Sequence, residues 1–189
     1  MRLIPTPSQT VGPYLHIGLA WLTTTDLAKN ASAGERIVVA GSVLDGDGNP
    51  IPDAILELWQ ANADGKYSHP DDTQNKPTDP EFSGFGRIPT DKDGRFRFVT
   101  IKPGATPGPG SSLQAPHIAV TLFMRGLLRH LYTRIYFSDE AANTTDPILG
   151  HIQDSARRNT LIARRSGDAA EYRWDVHMQG ENETVFFDC

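Results

Sequence analysis

The chain has 189 residues, with 18 Lys and Arg against 23 Asp and Glu, for a formal net charge of -5. That length suits one domain with a sizeable core, and the acidic balance excludes the basic surface that nucleic-acid phosphates require. No apolar run nears the ~20 residues of a membrane span, and the lone Cys189 excludes internal disulfides, thiolate zinc sites and iron–sulfur clusters.

In chain order, residues 1–33 read as an arm, since Pro5, Pro7, Gly12 and Pro13 forbid a regular helix at its start. Its first ten residues carry neither an apolar stretch nor a small-residue cleavage site, so the expectation is a cytoplasmic protein without a secretory leader. Strand signals begin at Ile37: 37–44 is rich in β-branched residues and ends at the turn sequence Asp45-Gly46-Asp47-Gly48. Further strands are predicted over 54–59, 94–101, 117–123 and 131–137, the last two joined by a loop around Arg125-Gly126. A short helix is expected near 146–155, followed by strands at 160–164, 172–177 and 184–187. Two stretches, 68–80 and 103–116, carry too much Pro and Gly for regular structure and so become long loops where function concentrates. Seventeen Gly and 14 Pro punctuating many short strands predict an all-β fold. Its expected form is a single β-sandwich domain over 1–189, of mixed short strands with long loops, an N-terminal arm and little helix.

Compact catalytic motifs are missing. The six His residues form no HxH, HxxxH or HExxH pair, and no GxSxG elbow, P-loop or GxGxxG occurs. His117 opens a buried-looking strand, where a satisfied core histidine is the simplest reading. Arg134 is different. Strand alternation places Tyr132, Arg134 and Tyr136 on one face of 131–137 and Leu131, Thr133, Ile135 and Phe137 on the other. An Arg flanked by two Tyr suits a carboxylate anchor through its bidentate fork; an exposed face with a snorkelling Arg suits it equally. In the arm, Gly12 permits close backbone approach, Pro13 stiffens the turn and Tyr14 supplies a ring with a hydroxyl. That segment reads either as a ligand contact or as an arm packed on a protein surface.

Five ordered segments carry a resemblance: TPSQTVGPY ending at Tyr14, LWQANADGKY ending at Tyr67, TDKDGRFRF ending at Phe98, TIKPG ending at Gly104, and APHI around His117. Together they resemble the intradiol ring-cleavage dioxygenases, although DGxFxF and IxPG also occur in transthyretin-like and carboxypeptidase-regulatory sandwiches. The arm, the RIYF of Arg134 to Phe137 and the closing GENETVFFD resemble the alpha-type chains of this family in particular. Catalytic members hold Fe(III) with two Tyr and two His, a set whose hard phenolate oxygens suit ferric iron. Here the equivalent positions read Gln74, Thr106, His117 and Ala119. Three of the four ligands are therefore absent, and the resemblance implies no metal and no catalytic residue in this chain. It implies instead a homologous iron-binding beta subunit as partner, with Fe(III) held there and alpha–beta pairs assembling further. By position, Thr10, Gly12, Pro13, Tyr14 and Arg134 would contact substrate, and residues 1–33 would pack on the partner. The implied reaction is intradiol cleavage of protocatechuate by O2 to 3-carboxy-cis,cis-muconate. A related catechol as substrate, or a non-enzymatic transthyretin-like binding sandwich, are the rival readings.

Overall fold

The computed structural model describes residues 7–10, 17–18, 20–30, 33–167 and 170–188. In chain order the strands are β1 (Arg36–Leu44), β2 (Ile55–Gln60), β3 (Phe85–Pro89), β4 (Arg95–Ile101), β5 (Thr106–Pro107) and β6 (Leu113–Gln114), followed by β7 (His117–Phe123), β8 (Leu131–Phe137), β9 (Ile162–Arg165), β10 (Glu171–Arg173) and β11 (Val176–His177). One layer runs β3–β2–β7–β8, antiparallel throughout. The other centres on β1, which pairs antiparallel with β4 and parallel with β10 and β11. Strand β9 joins the layers, antiparallel to β10 and parallel to β8 at Tyr136 opposite Ile162.

The alternation read from the sequence makes this a sandwich. β1 buries every second residue, and β4 turns Phe96 and Phe98 inward while Arg95 and Arg97 face out. Ile37, Val39, Phe96 and Phe98 from one layer meet Leu56, Leu58, Ile118, Val120, Leu122 and Ile135 from the other in a single apolar cluster. Each such side chain contributes roughly 1.5–3 kcal/mol by leaving water. Gly41 keeps this packing possible. A Cβ there would sit 1.6 Å from the Trp174 carbonyl oxygen, where the ladder along this edge of β1 is interrupted between β10 and β11. At that break the Asp175 carboxylate accepts from Ser42 N at 2.8 Å, in place of a strand partner.

Four expectations need correction. The Asp45–Gly48 turn forms as read, closing a short hairpin in which Ile51 N donates to Val43 O, but the 146–155 helix does not run through: it divides into Pro147–His151 and Ser155–Asn159. The 172–177 strand is split in two by a break at Trp174-Asp175. The 184–187 segment makes only an isolated bridge between Tyr132 and Phe187, because Val185 and Phe187 are used to cover a small apolar cluster around Tyr136. Finally, 103–116 is not irregular throughout: β5 and β6 pair as a two-residue ladder with Thr106 opposite Gln114.

The arm divides. Leu27 and Ala28 join the chain's own core, with Leu27 N donating to Val99 O at 2.8 Å. Ile17 and Trp21 remain 78% and 77% exposed. Among the described residues no helix is long and apolar enough to cross a membrane.

Candidate functional site

The outer face of β2, β7 and β8 carries the site. Antiparallel register puts Tyr136 opposite His117, and Arg134 opposite Ala119, which in turn faces Trp59. Directly opposed residues share a face, so Trp59, Ala119, Arg134, His117 and Tyr136 form one patch, with the aliphatic residues of the same strands turned to the core. Tyr67 stacks on Trp59, ring centroids 5.8 Å apart. Trp59, Tyr67, Gln74 and Pro107 help line a cavity of about 440 Å³.

Arg134 is half-buried and tethered on one side. Its Nη1 donates to Gln114 Oε1 at 2.6 Å and to Tyr136 Oη at 3.3 Å. Among the described residues, its Nε and Nη2 take no hydrogen-bond partner. Tyr136, fully buried, donates onward to Asp146 Oδ1 at 3.2 Å. Asp146 is the N-cap of the helix Pro147–His151, accepting from Ile148 N and Leu149 N, while its other oxygen accepts from Ala115 N at 2.7 Å. Burial pushes the Tyr136 phenol above its ordinary range, overcoming the pull of Arg134 toward ionisation. The hydroxyl therefore stays protonated and able to donate.

His117 is 2% exposed, its Nδ1 bonded to Ala115 O at 2.8 Å and its ring against Tyr136. Burial, and then the Arg134 guanidinium, lower it to about 4, so it is neutral at pH 7. Burial raises the Tyr67 phenol, again against Arg134. The Thr106 hydroxyl is near enough to Tyr67 to bias its ionisation yet makes no well-formed hydrogen bond, and is buried. Gln74 turns its amide into its own loop, donating to Gly65 O at 3.0 Å and Asp72 Oδ2 at 3.1 Å. Gly65, at φ +77°, lies where a Cβ would fall 1.9 Å from the Ala105 carbonyl oxygen. Its bare backbone lets the 62–66 turn seat against the strand that presents Thr106.

The positions where the resemblance places iron ligands thus hold a methyl, a buried hydroxyl, an amide engaged elsewhere and one neutral imidazole beside a guanidinium. These do not fit a ferric ion. A fixed positive charge next to the one imidazole opposes a metal cation, and among the described residues the phenol beside it, Tyr136, is held protonated. Among the described residues no group of three or more His, Cys, Asp or Glu side chains can hold a metal ion.

Of the residues singled out from sequence, Arg134 sits in this patch. Thr10 does not: its hydroxyl donates to Met124 O at 3.3 Å, just beyond the end of β7. Met124 is five residues along the chain from Ala119, about 16 Å at ~3.3 Å per residue. Gly12, Pro13 and Tyr14 lie outside the described residues. Sequence reasoning missed Gln114 and Asp146. Asp146 had a visible signal, an Asp-Pro pair opening a helix; Gln114 had none, because its strand is two residues long.

Comparison with known proteins agrees with this architecture. A family model described as Dioxygenase matches residues 12–180. The chain belongs to this family, the intradiol dioxygenases. The protocatechuate 3,4-dioxygenase alpha chain of Pseudomonas putida is 45% identical over 204 residues, covering 100% of this chain and 98% of that one. The protocatechuate 3,4-dioxygenase beta chain of Burkholderia cepacia is 42% identical over 172 residues, covering 84% of this chain and 73% of its own. Among solved structures, the dioxygenase domain of a carbohydrate-binding fusion from Streptomyces sp. SirexAA-E is 29% identical with a TM-score of 0.61, covering 96% of this chain and 100% of that one.

Proposed function

We propose that this chain is the iron-free, alpha-type partner in a cytoplasmic protocatechuate 3,4-dioxygenase, supplying substrate contacts to a site whose Fe(III) is held by a homologous beta subunit. The observation that carries the reading is Arg134: Nη1 is committed inward while, among the described residues, the Nε and Nη2 edge has no partner, the side-on edge that takes a carboxylate in two parallel hydrogen bonds. Full-length similarity to an alpha chain, together with a donor set unsuited to iron, supports the division of labour. Thr10, Gly12, Pro13 and Tyr14 would reach the partner's site from the arm. Exposed Ile17 and Trp21 suit an arm that packs on the partner subunit, within alpha–beta pairs that assemble further. Iron held by the partner would supply activation of the catecholate; this chain's share is orientation, fixing the substrate carboxylate so that less entropy is lost on reaching the reactive geometry.

Purified alone, the chain is expected to be colourless and inactive; co-purified with an iron-bearing homologue, it should yield a coloured, active complex. In that complex Arg134→Ala should weaken protocatechuate binding about 30-fold, as loss of a charge-assisted pair implies, and leave catechol unaffected. An iron-loaded, active chain on its own would overturn the proposal.

A further inference from the structure

We infer that Gln114 and Tyr136 are positioning residues for Arg134, together aiming its uncommitted edge at the substrate carboxylate; this rests on the anchor role proposed above. Every donor in the chain of contacts has one available direction. Gln114 Nε2 donates to Pro107 O at 2.7 Å, which fixes the amide so that Oε1 faces the guanidinium. Arg134 has no acceptor, so Nη1 must donate to both Gln114 Oε1 and Tyr136 Oη. Tyr136 Oη, accepting from Arg134, must then pass its own proton to Asp146 Oδ1. Asp146 accepts only, and three backbone N–H groups hold it: Ala115, Ile148 and Leu149. One end of the relay is thus tied to the β5–β6 ladder and the other to a helix N-terminus.

Both tethers act on the same nitrogen. A guanidinium is planar, so holding Nη1 at two acceptors leaves rotation about the remaining bonds small and presents Nε and Nη2 in a fixed plane. Gln114 and Tyr136 are both neutral, so neither cancels the positive charge that the incoming anion meets. An Arg released from them would keep its charge but lose its aim.

Tyr136→Phe and Gln114→Ala, each in the complex with the iron-bearing partner, test this. Anaerobic titration with protocatechuate should give a Kd raised by roughly 3- to 10-fold, less than the loss of the anchor itself. KM should rise in parallel, kcat should stay within about twofold, and catechol, which has no carboxylate, should bind unchanged. If Arg134→Ala weakens protocatechuate binding and neither tether variant does, the positioning inference fails and the anchor reading survives. If Arg134→Ala itself has no effect, both fail. A loss of kcat, or equal weakening for catechol, would mark the tethers as merely structural and overturn the inference. Gln114 is half-exposed at the end of a two-residue strand, so its variant keeps the test decisive should the buried Tyr136 change impair folding.

Discussion

Two cations on this sandwich are kept in different company. Lys102 Nζ lies 3.0 Å from Asp139 and 2.6 Å from Glu140, over the rings of Phe137 and Tyr172, with its side chain 14% exposed. Burial works against its charge, yet the hydrogen bonds it donates to Glu140 and Asp139 outweigh that and raise its pKa well above the ordinary lysine range. Arg134 is held instead by an amide oxygen and a phenol, and meets its nearest carboxylate in the relay, Asp146, only through Tyr136. A cation neutralised on the spot is spent on the fold. One fastened by neutral acceptors is held in place with its field intact, the condition for receiving an anion.

Acid should have the largest effect at the Arg134 patch. His117, with an ordinary value of 6.5, is lowered to about 4 in the fold, so the unfolded chain gains a proton that the folded chain refuses. Stability from this group is complete above pH 6.5 and is lost as pH falls toward 4, by on the order of 3 kcal/mol. Urea unfolding across that window should show the loss, and His117→Gln should flatten it. An unchanged slope would mean that neither burial nor the Arg134 guanidinium keeps this imidazole neutral. Next, Lys102→Met should lower stability by about 2 kcal/mol, Asp139 keeping Arg165 and Tyr172 as partners. Substrate affinity in the complex should not move. Smallest and sharpest is Gln114→Glu, which gives Arg134 the kind of company Lys102 has. It should cost the fold little, the new ion pair offsetting the lost hydrogen bond to Pro107 O, while weakening protocatechuate binding about tenfold, roughly 1.4 kcal/mol. Undiminished binding would show that the neutrality of the tether is irrelevant.

Legibility from sequence followed the length of the ladder. β7 and β8 alternate over seven residues each, and their bounds and faces could be read directly, Arg134 beside Tyr136 included. β3 could not: its FGRIP holds a Gly and a Pro, and as a layer edge it needs no alternation strong enough to see. The relay partners were hidden for a different reason. Gln114 and Asp146 are 20 and 12 positions from Arg134 along the chain, and only the closing of loops over the outer face brings them there. Departures from the family's ligand set were readable as single letters; what replaced the metal as organiser of that face was not.

The order in which β1 finds its neighbours has a consequence for synthesis. Val38 pairs with Glu171 and Val43 with Val176, so one side of a strand made early stays vacant until nearly the whole chain has emerged. β1 with β4, and β2, β3, β7 and β8 among themselves, can assemble before that, leaving a row of unpaired amides along β1. Contacts so distant in sequence slow closure and expose that edge while it lasts. A ribosome stalled before Glu171 would therefore hold an open, adhesive half-sandwich, and truncations short of Val176 should accumulate as aggregates.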